Sequence, residues 1–158
     1  MVHIYQAKSL QGVVLLAHPD RQGFYSKSVV YVYSHGDGDT RGVIINHPYP
    51  RVGRILGYYG GRFAKHKHIH LHTNTRGRAT WTVLAQNERS PTDRGRVFQG
   101  YICWEAQELT NEVMENKWFI SKMAIGEVLE IPSERVYSDA MKSHPWIHSL
   151  VYVNSGEA

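Results

Sequence analysis

Four histidines alternate along one basic stretch of the chain, and this pattern suggests chemistry more directly than any other. They are His66, His68, His70 and His72. In a β-strand, alternate residues share one face and lie about 6.6–6.8 Å apart, a spacing at which two imidazoles can bind one zinc, nickel or copper ion. Lys65 and Lys67 repel a cation, however, and the surrounding sequence holds no carboxylate. We therefore expect an exposed polar strand face with no native metal site, although metal can bind adventitiously in vitro.

The histidines belong to a longer window, between Thr40 and Asn87, that contains no acidic residue. Its basic residues are Arg41, Arg51, Arg54, Arg62, Lys65, Lys67, Arg76 and Arg78. Such a block attracts phosphate or an acidic protein face, and protonation of the histidines near pH 6 would strengthen it. The alternative is a solvated face that the acidic second half neutralises, within the chain or across a dimer. Residues 80–158 hold 7 basic and 11 acidic side chains.

No motif indicates catalysis or a cofactor. The single cysteine, Cys103, lies in an apolar segment between Ile102 and Trp104, where burial keeps a thiol protonated and inert. The sequence contains no nucleophile elbow, no zinc-protease helix motif and no phosphate-binding loop, and the pair Gly60-Gly61 indicates a tight turn. We expect a protein that is not an enzyme and that uses no cofactor or metal.

Other polar and aromatic residues allow two interpretations each. Trp104 and Trp118 are interpreted as a hydrophobic clamp between a strand and a helix, with ligand stacking as the alternative. Asn46 either caps a turn, which we favour, or offers its amide to a partner. Tyrosines and arginines of the segment 49–62 could bind unpaired bases and phosphates together. No known DNA-reading or RNA-reading motif accompanies them, so such binding would be weak, non-specific and sensitive to salt.

The length of 158 residues and the 42% of apolar residues fit one soluble domain over residues 1–158. No apolar run reaches the ~18–20 residues of a membrane helix, and no secretory signal is visible at the N-terminus. A single cysteine fits a reducing, cytoplasmic setting. We therefore expect a cytoplasmic protein that does not associate with a membrane.

Apolar and β-branched runs predict about seven strands, and helical spacing predicts two or three helices. The strands are predicted at residues 13–17, 28–33, 42–46, 67–73, 79–86 and 97–104, with the end of another at 58–59. The helices are predicted at 52–57, 106–117 and 132–142, and an edge strand at 147–153 is conceivable. Strands lie early and helices late, which is typical of an α+β domain.

An ordered set of motifs along residues 12 to about 142 resembles the AlgH/YqgE family of small bacterial proteins. The segments GVVLLAHP, SVVY, GVIINHP, YGG and RVFQGY with a following tryptophan carry the resemblance. The residues that match are Gly12, Pro19, Phe24, Ser28, His35, Gly42, Asn46, Pro48, Gly60, Gly61, Gly100, Tyr101, Trp104, Leu109 and Trp118. Arg62 stands where the family has proline after the glycine pair.

The resemblance implies a compact α+β domain built on a strongly bent, barrel-like sheet that is mixed or antiparallel. It also implies a non-catalytic binding or regulatory protein, since the family is named for a proposed role in regulating exopolysaccharide gene expression. It supplies no catalytic residues. Two alternatives stay open: a module that binds nucleic acid or an acidic partner through residues 41–78, and a homo-oligomer that assembles through complementary halves or the 147–153 edge.

Overall fold

The fold is known from a computed structural model that describes residues 9–36, 38–52, 55–73, 79–84 and 95–143. These residues form nine strands and three α-helices. The strands are β1 (Val14–Ala17), β2 (Val29–His35), β3 (Thr40–Ile44), β4 (Pro48–Val52), β5 (Ile55–Tyr59), β6 (Phe63–Thr73), β7 (Ala79–Leu84), β8 (Arg96–Trp104) and β9 (Trp118–Ile120). The helices are α1 (Glu108–Met114), α2 (Ile125–Val128) and α3 (Ser133–Ser143), and a 3₁₀ turn spans Gly23–Tyr25.

The strands form one curled sheet, a half-barrel whose pairs are antiparallel except for the parallel pair β5–β8. Its main path runs β4-β5-β8-β3-β2-β1-β9. β6 pairs with β8 and with β7, and among the described strands β7 pairs with β6 alone. This arrangement confirms the predicted α+β class and the bent sheet.

The sheet buries both of its faces because β1, β2 and β3 are apolar on both sides. On the first face, α2 and α3 pack on a cluster that includes Val14, Tyr31, Ile69 and Phe98. On the second face, α1 packs on a cluster with Leu15, Val30, Ile44, Trp104 and Trp118. Continuous apolar runs such as VLLA in β1 are typical of strands that are buried on both faces.

Three glycines allow the chain to pass over β8 at backbone contact. A Cβ at Gly60 or Gly61 would overlap the backbone of Gly100 or Tyr101, respectively. Gly100 has a φ of +75° and would in turn overlap Gly61. Only glycine fits this close approach, because any side chain would overlap the neighbouring backbone. Gly60 and Gly61, which predicted a tight turn, are therefore needed for the packing of β5, β6 and β8.

Two polar side chains, those of Arg96 and Asn46, form hydrogen bonds to backbone groups at the ends of elements. Arg96 donates to the carbonyls of Ile45 and Leu129 at 2.9 Å each, which ties the end of β3 to the residue that follows α2. Asn46 accepts from the Val29 amide and donates to the Lys27 carbonyl, both at 2.9 Å, so its side chain joins the end of β3 to the start of β2 rather than to its own turn. Each bond satisfies a backbone group at the end of an element.

The predicted short helix at 52–57 is wrong. The segment forms an antiparallel hairpin of β4 and β5, in which Val52 pairs with Ile55. Glycine favours a helix poorly, and β5 gains a second partner in β8 through Tyr58 and Tyr59. Pro48 and Pro50 lie inside β4, an edge strand where proline is tolerated.

The later elements follow the prediction, with one helix shorter than expected and two additions. The helix expected over 106–117 begins at Glu108 and ends at Met114. β9 and α2 were not predicted, because three-residue and four-residue elements carry too little periodicity. The possible strand at 147–153 lies outside the described residues. No helix within the described ranges has the length and apolar character needed to cross a bilayer.

Candidate functional site

Two large apolar side chains of β7 are exposed at the edge of the sheet. Trp81 and Val83 are 40% and 43% exposed. In the register of β6 and β7, Trp81 opposes Leu71 and Val83 opposes Ile69. Opposed residues share a face, and Ile69 and Leu71 are fully buried in the first core cluster. The buried apolar face therefore continues past β6 and reaches solvent at β7.

Trp81 packs on Tyr33, which lies beneath it. Their ring centroids are 4.8 Å apart and the planes are inclined by 54°. Tyr33 is buried, and desolvation raises the pKa of its hydroxyl far above the ordinary value, with partial opposition from the nearby Arg41 guanidinium. This contact holds the Trp81 ring in place while its other side faces solvent.

Arg41 links this pair to a second aromatic pair. Its guanidinium carbon lies 4.9 Å from the ring centroid of Tyr101, which stacks on Phe63 with centroids 6.3 Å apart and planes inclined by 18°. Phe63 is 52% exposed. Arg41 also reaches Asp39, with 3.5 Å between Nη2 and Oδ2. We call this group of residues the edge surface; it comprises Arg41, Phe63, Trp81, Val83 and Tyr101.

A second group of arginine and aromatic residues lies on the other side of the sheet. The Arg21 guanidinium carbon is 4.6 Å from the Trp118 ring centroid and 5.0 Å from that of Tyr25. Glu112 accepts the indole N–H of Trp118 at 2.8 Å and lies 3.7 Å from Arg21. We call these four residues the arginine–tryptophan cluster. Its charges neutralise each other and join the 3₁₀ turn, α1 and β9.

A cleft of about 410 Å³ opens beside this cluster. It is lined by His18, Asp20, Arg21, Glu115, Asn116 and Lys117. Lys117 pairs with Glu115 at 3.2 Å, and His18 Nδ1 lies 4.0 Å from the Asp20 carboxylate. Charges of both signs line the cleft and pair with one another, so it presents no concentrated charge to a ligand.

The structure divides the predicted basic window between the two faces. Arg41 contacts Tyr101, which packs on the first core cluster, whereas the guanidinium of Arg62 lies 5.3 Å from the ring centroid of Phe24, which packs on the second. Lys67 is exposed on β6. The remaining members lie outside the described residues or have side chains that are not described: Arg51, Arg54, Lys65, Arg76 and Arg78. The described members therefore do not converge on one face.

The expectation that the histidines form an exposed face is wrong. His68 and His70 are 9% and 1% exposed, and His72 is half-buried with its Nε2 2.8 Å from Thr80 Oγ1. Burial lowers the pKa of His68, which disfavours the charge expected near pH 6. The side chain of His66 is not described. No group of three or more histidine, cysteine, aspartate and glutamate side chains that could hold a metal occurs among the described residues.

The motif residues of the predicted family that the following contacts describe have structural roles in the core and at the ends of elements. Trp104 and Trp118 are buried in an edge-to-face pair, with centroids 6.3 Å apart, beside buried Leu109, which confirms the clamp interpretation. His35 accepts the Leu10 amide at 2.8 Å, and Ser28 is fully buried. Cys103 is half-buried, and desolvation raises the pKa of its thiol as expected.

The exposed apolar residues of the edge surface, Phe63, Trp81 and Val83, were missed by the sequence interpretation, whereas Arg41 was predicted as part of the basic window. Trp81 and Val83 alternate with threonines in β7, and this pattern predicts a strand with one apolar face. The exposure of this face could not be predicted from the pattern, because it depends on the order of strands in the sheet. Arg21 was missed because its partners, Tyr25, Glu112 and Trp118, include two that are distant in the chain.

Comparisons with known proteins agree with this fold. A family model described as AlgH-like matches residues 14–147. A "UPF0301 protein" of Mycobacterium ulcerans is 23% identical over 171 residues, with 89% of this chain and 85% of the relative covered. A "UPF0301 protein" of Mycolicibacterium vanbaalenii is 25% identical over 171 residues, with the same coverage of both chains.

Two solved structures share the architecture. A protein of Corynebacterium diphtheriae superposes with a TM-score of 0.69 at 19% identity, covering 90% of this chain and 93% of that one. The AlgH protein of Pseudomonas aeruginosa superposes with a TM-score of 0.66 at 19% identity, covering 86% and 89%. At this identity the likeness shows the fold alone. Because the family model spans most of the sequence, the chain belongs to the AlgH-like family, as its motifs predicted.

Proposed function

We propose that this protein acts without catalysis, as a cytoplasmic binding protein with a regulatory role, and that the edge surface binds its protein partner. One observation carries the proposal: the apolar core face of the half-barrel reaches solvent at Trp81 and Val83. Tryptophan, tyrosine and arginine are the residues that most often dominate the energy of protein interfaces.

The geometry favours a binding role because the aromatic groups are already held in place. Tyr33 supports Trp81 from beneath, and Tyr101 supports both Phe63 and Arg41. Rigid aromatic side chains lose little conformational freedom on binding, so more of the contact energy contributes to affinity. A partner that covers Trp81, Val83 and Phe63 removes apolar surface from water, at about 25 cal/mol per Å².

Nucleic-acid binding is the second candidate, and the contact of Arg41 with Tyr101 favours it. Arginine pairs with phosphate, and exposed rings such as Phe63 and Trp81 stack on unpaired bases. Binding of this kind weakens steeply as salt rises. Homo-oligomer formation is the third candidate, and it requires no ligand.

The test compares wild type with Trp81→Lys and with the matched control Met114→Lys. Met114 is 44% exposed and lies on α1. Each protein is used to select from a displayed library of short random peptides and is titrated with single-stranded oligothymidylate and duplex DNA. Light scattering at low and high salt gives the mass of each protein without ligand.

We expect peptides that bind wild type and the Met114 variant but bind Trp81→Lys about tenfold more weakly or worse, because a central interface tryptophan is lost. Selection of no peptide that depends on Trp81 would contradict the proposal. Salt-sensitive binding of oligothymidylate that Trp81→Lys abolishes, without such peptides, would establish the second candidate instead. A mass above 18.1 kDa that falls on Trp81→Lys would establish the third.

A further inference from the structure

We infer that β7 receives an extended, acidic segment of the partner protein as an added strand of the half-barrel. This inference rests on the proposed function and specifies how the edge surface is used. It combines three observations: an edge strand that no other described strand pairs on its outer side, an alternation of apolar and polar faces along that strand, and the charge of the surrounding sequence.

The backbone of β7 offers a complete edge. All six residues from Ala79 to Leu84 pair antiparallel with β6, from Thr73 back to His68. On its other side β7 has no partner among the described strands. Alternate N–H and C=O groups of an edge strand form a template for a further strand, and six residues extend over about 20 Å. An added strand of about six residues fits this length.

The edge of β7 lacks the features that usually prevent strand addition. Proteins protect sheet edges with charged residues, with proline or with very short strands. β4, at one end of the sheet, contains Pro48 and Pro50, and β9, at the other end, has three residues. β7 reads ATWTVL, with no charge and no proline. Two edges of the sheet are therefore protected, whereas β7 lacks such protection and has no partner on its outer side among the described strands.

Side chains of an added strand would alternate between two different environments. Alternate positions would lie beside Trp81 and Val83 on the apolar face, and the others beside Thr80 and Thr82 on the opposite face. Trp81 supplies the anchor, because one side of its ring is fixed against Tyr33. The matching segment therefore has apolar, β-branched or aromatic residues at every second position.

The charge of the region specifies an acidic segment. β6 and β7 belong to the window between Thr40 and Asn87, which contains no acidic residue. Among its described basic side chains, Lys67 is exposed on β6 and Arg41 belongs to the edge surface. Asp39 is paired with Arg41 at 3.5 Å and is itself exposed. Complementary charge steers association and selects among partners. A second copy of this chain would present the same basic window to β7, so like charges disfavour it as the added strand.

The experiment uses the peptides selected on wild type and counter-selected on Trp81→Lys. We expect enrichment of glutamate and aspartate, with apolar residues at alternating positions. Methylation of the backbone nitrogens that face β7 should weaken binding by about tenfold or more, because it removes strand hydrogen bonds, whereas methylation at the intervening positions should preserve it. Arg41→Ala should weaken binding and reduce its dependence on salt.

The outcomes separate this inference from the proposed function. Peptides that depend on Trp81 but lack acidic enrichment, or that tolerate methylation at either set of positions, would overturn the added acidic strand and leave the binding surface standing. Absence of any Trp81-dependent peptide would overturn both. Binding of oligothymidylate that displaces the selected peptides would overturn the assignment to a protein partner.

Discussion

Two regions of the molecule place an arginine against aromatic rings, and they differ in what else meets the arginine. In the arginine–tryptophan cluster, Arg21 lies against Trp118 and Tyr25, and Glu112 approaches it to 3.7 Å while also accepting the Trp118 indole N–H. In the edge surface, Arg41 lies against Tyr101 and meets the exposed Asp39. In the first region the charged and polar groups are paired with one another and largely buried. In the second region the rings of Phe63 and Trp81 are exposed to solvent, and so is the ion pair of Arg41 with Asp39.

Residue composition alone therefore does not distinguish a structural cluster from a binding surface, because both regions place an arginine against aromatic rings. Trp118 is 1% exposed, and its neighbours satisfy its only polar group. Trp81 rests on one buried ring and faces solvent on the other side. We assign stability to the first tryptophan and partner binding to the second, and each prediction below tests that division.

Removal of the two tryptophan side chains should produce the largest contrast in stability. Trp118→Ala should lower the free energy of unfolding by about 3–5 kcal/mol. The change leaves a buried cavity, and it removes the hydrogen-bond donor to Glu112 and the ring that Arg21 packs on. Trp81→Ala should cost less than about 2 kcal/mol, because its ring is partly exposed already. Urea unfolding followed by circular dichroism measures both, and equal losses would break the division.

Substitution of the acidic partners of the two arginines, Glu112 and Asp39, should produce a smaller difference in the free energy of unfolding. Glu112→Gln should cost about 1–3 kcal/mol, since a charged hydrogen bond to Trp118 and the pairing with Arg21 are both weakened in a mostly buried setting. Asp39→Asn should change stability by less than about 1 kcal/mol, because exposed ion pairs contribute little. The same urea titration reports both, and a larger loss from Asp39→Asn would contradict the assignment.

A fall in pH should lower the free energy of unfolding through His68, which lies on β6. Burial lowers its pKa in the folded protein below the ordinary 6.5, so at lower pH the unfolded chain takes up the proton first. Stability is therefore complete above pH 6.5 and is lost as the pH falls from there towards the folded-state pKa. His68→Gln should reduce this loss, as measured by urea midpoints against pH. An unchanged pH profile in the variant would show that His68 does not contribute.

The smallest predicted effect concerns Arg41, whose role is in binding. Arg41→Ala should leave the urea midpoint nearly unchanged, because its side chain is partly exposed and its ion pair with Asp39 is also exposed. It should reduce the affinity for acidic peptides by several fold and flatten the salt dependence of binding. Isothermal titration at two salt concentrations measures both quantities. An affinity that keeps its full salt dependence would place the relevant charge elsewhere.

The sequence predicted the framework of this fold well because its signals are local or strongly ordered. The run VLLA in β1 and the β-branched segment of β2 predict buried strands, and the spacing of Leu109 and Val113 predicts α1. The glycines at 60, 61 and 100 marked the family, although their physical role emerges only when β8 is seen against the β5–β6 connection.

The candidate site could not be predicted in the same way, because exposure is a property of the assembled sheet. Alternation in β6 correctly placed His68 and His70 on the face opposite Ile69 and Leu71, yet both faces proved to be buried. Alternation in β7 placed Trp81 and Val83 on one face, but only the strand order shows that β7 has no second partner among the described strands. The basic window was visible from composition, whereas the separation of Arg41 from Arg62 depends on the fold.

Amide hydrogen exchange, read residue by residue with and without a selected acidic peptide, tests the central claim most directly. The peptide should slow exchange at alternate residues of β7, those whose N–H groups point away from β6, and should leave exchange in β9 and α1 unchanged. Protection confined to the cleft at residues 18–21 and 115–117, or no protection in β7, would contradict that claim.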